Sequence, residues 1–144
     1  MTSALDPGTI GWDWYSLQLS DGSDLMVFGL RRADGSVDSF SSGTLVSANG
    51  TVWRLEAADF SVRPNGQWRS PHTGALYPAG WTLEVPVVGL RLEISPYLAD
   101  QELNLSYRYW EGAVRFAGNV GSKAVTGDGY VELTGYAGSL AGQF

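Results

Sequence analysis

The feature that most limits what this chain can become is its strand rhythm: apolar residues recur at every second position, and Gly, Pro, Asn and Asp break the chain every ~8–12 residues. Trp12–Leu19 puts Asp13, Tyr15, Leu17 and Leu19 on one face, and Asp21-Gly22 then signals a turn. Leu25–Arg32 is apolar on both faces up to its two arginines, which predicts a strand covered on both sides. Asp34-Gly35 leads into a Ser/Thr-rich strand, Val37–Ser47, and Asn49-Gly50 is the strongest hairpin signal in the chain. Val52–Glu56 and Asp59–Val62 read as short strands, and Gln67–Gly80 as a long loop holding Pro71, Gly74 and Pro78. Trp81–Val88 sets Trp81, Leu83, Val85 and Val87 against Thr82 and Glu84, with Pro86 at an edge or bulge. Leu90–Ile94 alternates again with Arg91 and Glu93 outward, and Pro96–Glu102 reads as a corner or a short helical turn. Leu103–Val114 is one long strand or two short ones broken near Glu111-Gly112; Ala113–Val120 and Tyr130–Tyr136 complete the set. With no helical period between strands, a parallel α/β fold is excluded, and about nine or ten such strands make a sandwich or an up-and-down barrel.

Length and charge narrow the function. The 144 residues form one domain, residues 1–144, with 1–10 and 137–144 expected as flexible ends. A net charge of −6 argues against nucleic acid, because binding phosphate needs a basic surface. No run approaches the ~18 apolar residues of a membrane span, and Met1–Ile10 lacks the pattern of a secretory signal. Cytoplasm and periplasm both fit a cysteine-free chain. One histidine and no cysteine leave no zinc site, and neither Asp21/Asp24 nor Asp34/Asp38 has the spacing of a calcium loop, so no metal and no cofactor are expected. No Gly-x-Ser-x-Gly elbow marks a nucleophilic serine.

Several separated stretches carry a family resemblance: Gly11–Leu19, Asp24–Phe28, Ser70–Trp81, Asp100–Leu103, Tyr109–Val114 and Gly129–Tyr136. Together they resemble the C-terminal half of the AttH-like, lipocalin-like proteins, a group related to carotenoid 1,2-hydratase (hydroxyneurosporene synthase). The resemblance implies an antiparallel lipocalin-like β-barrel of about 8–10 strands. It also implies a hydrophobic ligand such as an isoprenoid or polyketide, and more distant cousins of similar architecture act as cyclases. Full-length relatives carry two such halves, with an Asp-His-Glu-Trp type segment just upstream of what is here Thr2–Leu5. His72, the only histidine, does not match that segment, so the hydratase activity does not carry over residue by residue.

Hydrating or cyclising a polyene needs an acid aimed at a double bond in a dry pocket, and aromatic faces to stabilise the cation. Asp13, between Trp12 and Trp14, and Glu111, after Tyr109 and Trp110, are the candidate acids; Glu84 and Glu132 are weaker ones. Each also has a structural reading. Asp13 can pair with Arg31 across the first hairpin, Glu111 with Arg108 or Arg115, and Glu84 and Glu132 can be exposed strand residues. Trp12, Trp14, Tyr15, Leu17, Met26 (or Val27), Trp81, Leu83, Tyr107, Tyr109 and Trp110 are candidates for the wall of a ligand cavity, or for a solidly filled interior. Three functions stay open. One is a module binding a hydrophobic small molecule, and another is a hydratase, isomerase or cyclase with an interior carboxylate. The third is a non-catalytic half that needs a separate N-terminal partner domain or a second copy of itself.

Overall fold

The computed structural model describes residues 9–34, 36, 38–39, 41–104 and 108–137, most of them in antiparallel β-strands. Among the described residues twelve strands follow one another: β1 (Thr9–Leu19), β2 (Asp24–Arg32), β3 (Ser42–Val46), β4 (Val52–Glu56), β5 (Ser61–Pro64), β6 (Gln67–Arg69), β7 (Leu76–Pro78), β8 (Trp81–Val85), β9 (Leu90–Pro96), β10 (Glu102–Asn104), β11 (Arg108–Val120) and β12 (Lys123–Leu133). Ten form one sheet in the order β4-β3-β2-β1-β12-β11-β9-β8-β5, with β10 beside β11. The remaining two, β6 and β7, pair only with each other.

The sheet curls into a half-barrel whose concave side is the core. Alternation decides which side chains meet there. In β1, Tyr15, Leu17 and Leu19 are buried, and they join Leu25 and Val27 of β2, Trp81, Leu83 and Val85 of β8, Leu92 and Ile94 of β9, and Val131 and Leu133 of β12 in one cluster. Each fully buried side chain of this size contributes about 1.5–3 kcal/mol relative to exposure. The terminal strands β4 and β5 do not pair with each other. A single 3-10 turn, Ala57–Asp59, joins them, so a seam runs between the two ends of the sheet.

Short polar turns fix the hairpins. Asp21 accepts hydrogen bonds from the Ser23 N–H (2.9 Å) and hydroxyl (2.5 Å) between β1 and β2. Asn49 does the same for the Thr51 N–H (3.0 Å) and Ser47 hydroxyl (2.5 Å) between β3 and β4.

Several elements differ from the sequence expectation. β11 runs unbroken through Glu111-Gly112, and β12 begins at Lys123 rather than Tyr130. The glycines there are close-approach positions, not breaks. A Cβ on Gly112 would lie 2.4 Å from the Trp110 ring, and one on Gly129 would lie 2.1 Å from the Ser16 carbonyl oxygen. The stretch Gln67–Gly80 is not a plain loop but holds β6 and β7. Strand β8 stops at Val85, because Pro86 starts a 3-10 turn and leaves Val87 exposed. Within Val37–Ser47, β3 covers only Ser42–Val46; Val37 itself lies outside the described residues. Asp59–Val62 becomes a turn followed by β5. Strand β2 is not covered on both sides throughout, since Met26 is exposed. At the N-terminus, Thr9 and Ile10 belong to β1 rather than to a flexible end.

Gly129→Ala should lower stability by about 1–3 kcal/mol or prevent folding, because β1 backbone occupies the space of the new methyl group. Urea unfolding followed by tryptophan fluorescence measures it. A midpoint equal to that of the wild type would show that the two strands lie further apart.

Candidate functional site

A cavity of about 250 Å³ opens on the concave side, between β1 and β2 on one flank and the seam segment with β8 on the other. Its walls are mainly apolar: Val27 and Gly29 of β2, Ala57 and Phe60 of the seam, Val62 and Pro64 of β5, Pro78 of β7 and Trp81 of β8. Asp13, Tyr15, Ser61 and Tyr136 bring polar groups to it.

Asp13 reaches this place by parity alone, since it shares the inward face of β1 with Tyr15. Tyr136 reaches it by a break in parity. Beyond Leu133 the chain leaves β12, and Gly135 adopts the left-handed conformation (φ +84°), which side chains rarely tolerate. That turn brings the Tyr136 hydroxyl to both Asp13 oxygens, 3.0 and 3.1 Å away. Arg31 completes the group. Its Nη1 donates to Asp13 at 2.7 Å, its Nη2 to the Thr134 carbonyl at 2.6 Å, and its guanidinium lies 3.8 Å from the centre of the Tyr136 ring. The Asp13 and Arg31 side chains keep only 21% and 16% of their surface.

Burial pushes the Asp13 carboxyl above its usual range, against the opposing pull of the Arg31 charge and the Tyr136 and Arg31 hydrogen bonds. Burial, reinforced by the Asp13 charge, also raises the phenols of Tyr15 and Tyr136, so both stay neutral hydroxyls at ordinary pH. An acid on a largely apolar wall, with aromatic faces beside it, can donate a proton or hold a hydroxyl.

The ribbon β6–β7 lies against this group. Tyr77 packs 5.6 Å from Tyr136 and stacks on Trp68 at 6.0 Å, centre to centre. One carboxylate ties it down: Glu102 of β10 accepts from Ser70 (2.5 Å), Thr73 (2.8 Å) and Tyr77 (2.6 Å). His72 adds a contact to Asp100 at 2.8 Å. Burial works against ionising Glu102, but the hydroxyls of Ser70, Tyr77 and Thr73 and the His72 ring outweigh it and hold the carboxyl below its usual range.

Of the residues singled out in the sequence, Asp13, Tyr15 and Trp81 line the cavity. Leu17 and Leu83 point inward but are wholly buried in the core beyond its wall. Trp110 is buried as well, its ring centre 6.2 Å from that of Trp81 and its Nε1 donating to the Ala99 carbonyl. Trp12 and Trp14 alternate with Asp13 and Tyr15 and so occupy the outer face, as does Met26 beside Val27. Glu111 is exposed on that outer face, opposite Glu132, and not at the cavity. Glu84 bridges Arg63 and Arg91. Tyr109 is half-buried, and Tyr107 lies outside the described residues.

The sequence reading missed Tyr136 and the seam residues Ala57–Pro64 as cavity residues. Arg31, one of two arginines that end an apolar run, was the available signal; the irregular seam offered none. Among the described residues no group of three His, Cys, Asp or Glu side chains is placed to hold a metal. Nor, among the described residues, is any helix long and apolar enough to cross a membrane.

The AttH-like family model matches residues 1–136. An AttH protein of Nitrosomonas europaea superposes with a TM-score of 0.81 at 38% identity, over 92% of this chain and 41% of that one. Kievitone hydratase of Nectria haematococca superposes with a TM-score of 0.73 at 26% identity, over 90% of this chain and 40% of that one. The chain therefore spans well under half the length of either structure. A search of the curated proteins gives no match.

The depressed Glu102 carboxyl adds stability that is present above the usual glutamate value of 4.5 and lost as pH falls through its lower folded value. The melting temperature of the wild type should therefore drop more steeply below that pH than that of Glu102→Gln. Parallel curves for the two proteins would remove the three-hydroxyl clasp from the stability of the ribbon.

Proposed function

Because the chain belongs to the AttH-like family, we propose that it uses its half-barrel cavity to bind a hydrophobic small molecule, an isoprenoid or polyketide-like chain. The cavity itself carries this reading. Its wall is mostly apolar, and its polar groups are few and gathered around Asp13 and Tyr136. At about 250 Å³ it falls below the ~300–1,000 Å³ of sites that enclose a drug-sized molecule. It therefore takes the end of a chain, and the rest of the ligand leaves along the seam between β4 and β5. Tyr15, Phe60 and Trp81 supply apolar area, and the Asp13–Tyr136 pair meets a hydroxyl or a double bond at the inner end.

Val62→Phe fills part of this space from an edge strand where the backbone can adjust. Binding of a short isoprenoid alcohol such as geraniol, followed by tryptophan fluorescence or calorimetry, should weaken about tenfold or more while the melting temperature changes little. Unchanged binding would place the ligand elsewhere.

A second reading, hydration of a double bond, is favoured by the raised Asp13 carboxyl on the cavity wall and by the likeness to kievitone hydratase. In this reading Asp13 in its acid form gives its proton to one alkene carbon. Water adds to the neighbouring cationic carbon, and the surplus proton of that water returns to the Asp13 carboxylate. The rings of Tyr15 and Trp81, on the cavity wall, are the aromatic groups available to stabilise the developing charge. Arg31 and Tyr136 stabilise the carboxylate left behind. Turnover of an alkenyl substrate should fall as pH rises through the raised Asp13 value, and Asp13→Asn should lose turnover yet keep binding. A flat pH profile across that range, or an active Asp13→Asn, rules this mechanism out.

A further inference from the structure

Two tryptophans, Trp81 and Trp110, lie wholly inside the molecule, and only one of them has its polar atom satisfied. The Nε1–H of Trp110 donates to the Ala99 carbonyl at 2.8 Å, and that of Trp12, on the outer face, donates to Glu132 at 3.2 Å. The Nε1–H of Trp81 meets no acceptor. Among the described residues it is the one buried side-chain nitrogen or oxygen without a hydrogen bond. An indole N–H shut away from water and left unpaired costs the fold the desolvation of that group, and buried tryptophans rarely bear this cost. A ring needed only for apolar bulk has no use for an N–H. Trp81 differs from Trp110 in its place as well, since it lines the cavity. Tyr15 stands on the same wall, its ring in a T-shaped contact with Trp81 at 5.8 Å between centres. Its hydroxyl makes no hydrogen bond among the described residues either. The Asp13 oxygens nearby serve neither donor; they accept from Arg31 and Tyr136.

We propose that the missing acceptor arrives with the ligand: the cavity takes a molecule with a carbonyl oxygen set in an otherwise apolar chain, and the Trp81 Nε1–H, together with the Tyr15 hydroxyl, donates to that oxygen. The inference rests on the reading of the cavity as a hydrophobic binding site and narrows its ligand. Of isoprenoid and polyketide-like chains in general, it selects those that bear a ketone or a similar carbonyl group. Such an oxygen has two lone pairs and no proton, so it can accept from both donors and brings no donor of its own to be satisfied. The arrangement also discriminates. A chain of the same shape without the oxygen leaves the buried N–H unpaired, and sites with such a donor reject the analogue that lacks its partner. Trp81 is then a specificity-determining residue, apart from the Asp13–Tyr136 pair that meets the hydroxyl or double bond.

The test gives the whole 144-residue chain two probes: methylheptenone, a short branched ketone, and the hydrocarbon in which a methylene group replaces its carbonyl oxygen. Calorimetry measures the two affinities, and proton–nitrogen NMR follows the indole N–H signals. The Trp81 signal is identified by its loss in Trp81→Phe or, if that variant does not fold, by its proximity to the Tyr15 ring. The ketone should move this signal downfield, and the hydrocarbon should not. Trp81→Phe keeps an aromatic ring, so lost packing affects both probes alike; it should weaken ketone binding about tenfold more than hydrocarbon binding. Binding of both probes with a Trp81 signal that the ketone leaves unmoved, or an equal loss for both in Trp81→Phe, overturns the inference and keeps the cavity as a hydrophobic site. A signal held upfield in the free protein and unchanged by the ketone overturns it too, because the N–H then points at the face of the Tyr15 ring. Binding of neither probe overturns the cavity reading and this inference together.

Discussion

Everything in this molecule hangs on the register of β1 between β2 and β12. With Asp13 opposite Gly29 and Leu133, and Tyr15 opposite Val27 and Val131, the odd-numbered residues of β1 face the core. A slip by one position would drive Trp12 and Trp14 inward and turn Asp13, Tyr15 and Leu17 to solvent. Close packing holds the register: β1 backbone lies where a side chain at Gly129 would stand. It also sets the chemistry, since the same alternation that buries Leu17 brings Asp13 within reach of Arg31 and Tyr136.

The Asp13–Arg31–Tyr136 group joins fold and site. Arg31 neutralises a buried carboxylate, and it also ties β2 to the segment beyond β12 through the Thr134 carbonyl. Replacing such a pair with apolar side chains often costs a protein little, whereas removing one partner costs much. The ribbon extends the group outward, from Tyr136 through Tyr77 to the carboxylate of Glu102, so the cavity wall is coupled to a surface clasp.

Much of this was legible in the sequence, and for one reason. Period-two alternation is a local signal, so spacing alone puts Asp13 on one face with Tyr15, and Trp81 on one face with Leu83 and Val85, without saying which face points inward. Membership of the AttH-like family and the all-β architecture were legible too, from motifs spread over the chain. The failures share a cause. Glycine was read as punctuation, but at Gly112 and Gly129 it makes room for a neighbouring strand or ring. Met26, Trp12 and Trp14 were drawn to the cavity by their chemistry, although parity put them outside. Tyr136 and the seam residues depend on how distant segments meet, through a left-handed glycine and a 3-10 turn, and no local period encodes that.

The seam between β4 and β5 has a mechanical consequence. A fully closed barrel has a bore fixed by its strand number and stagger, and widening it means breaking a column of hydrogen bonds. Here the two end strands share no ladder, so they can part without giving up a single backbone bond. The interior is therefore not a tube of set calibre: along the seam its width is held by the packing of Phe60 and Val62 against the core and not by a ladder.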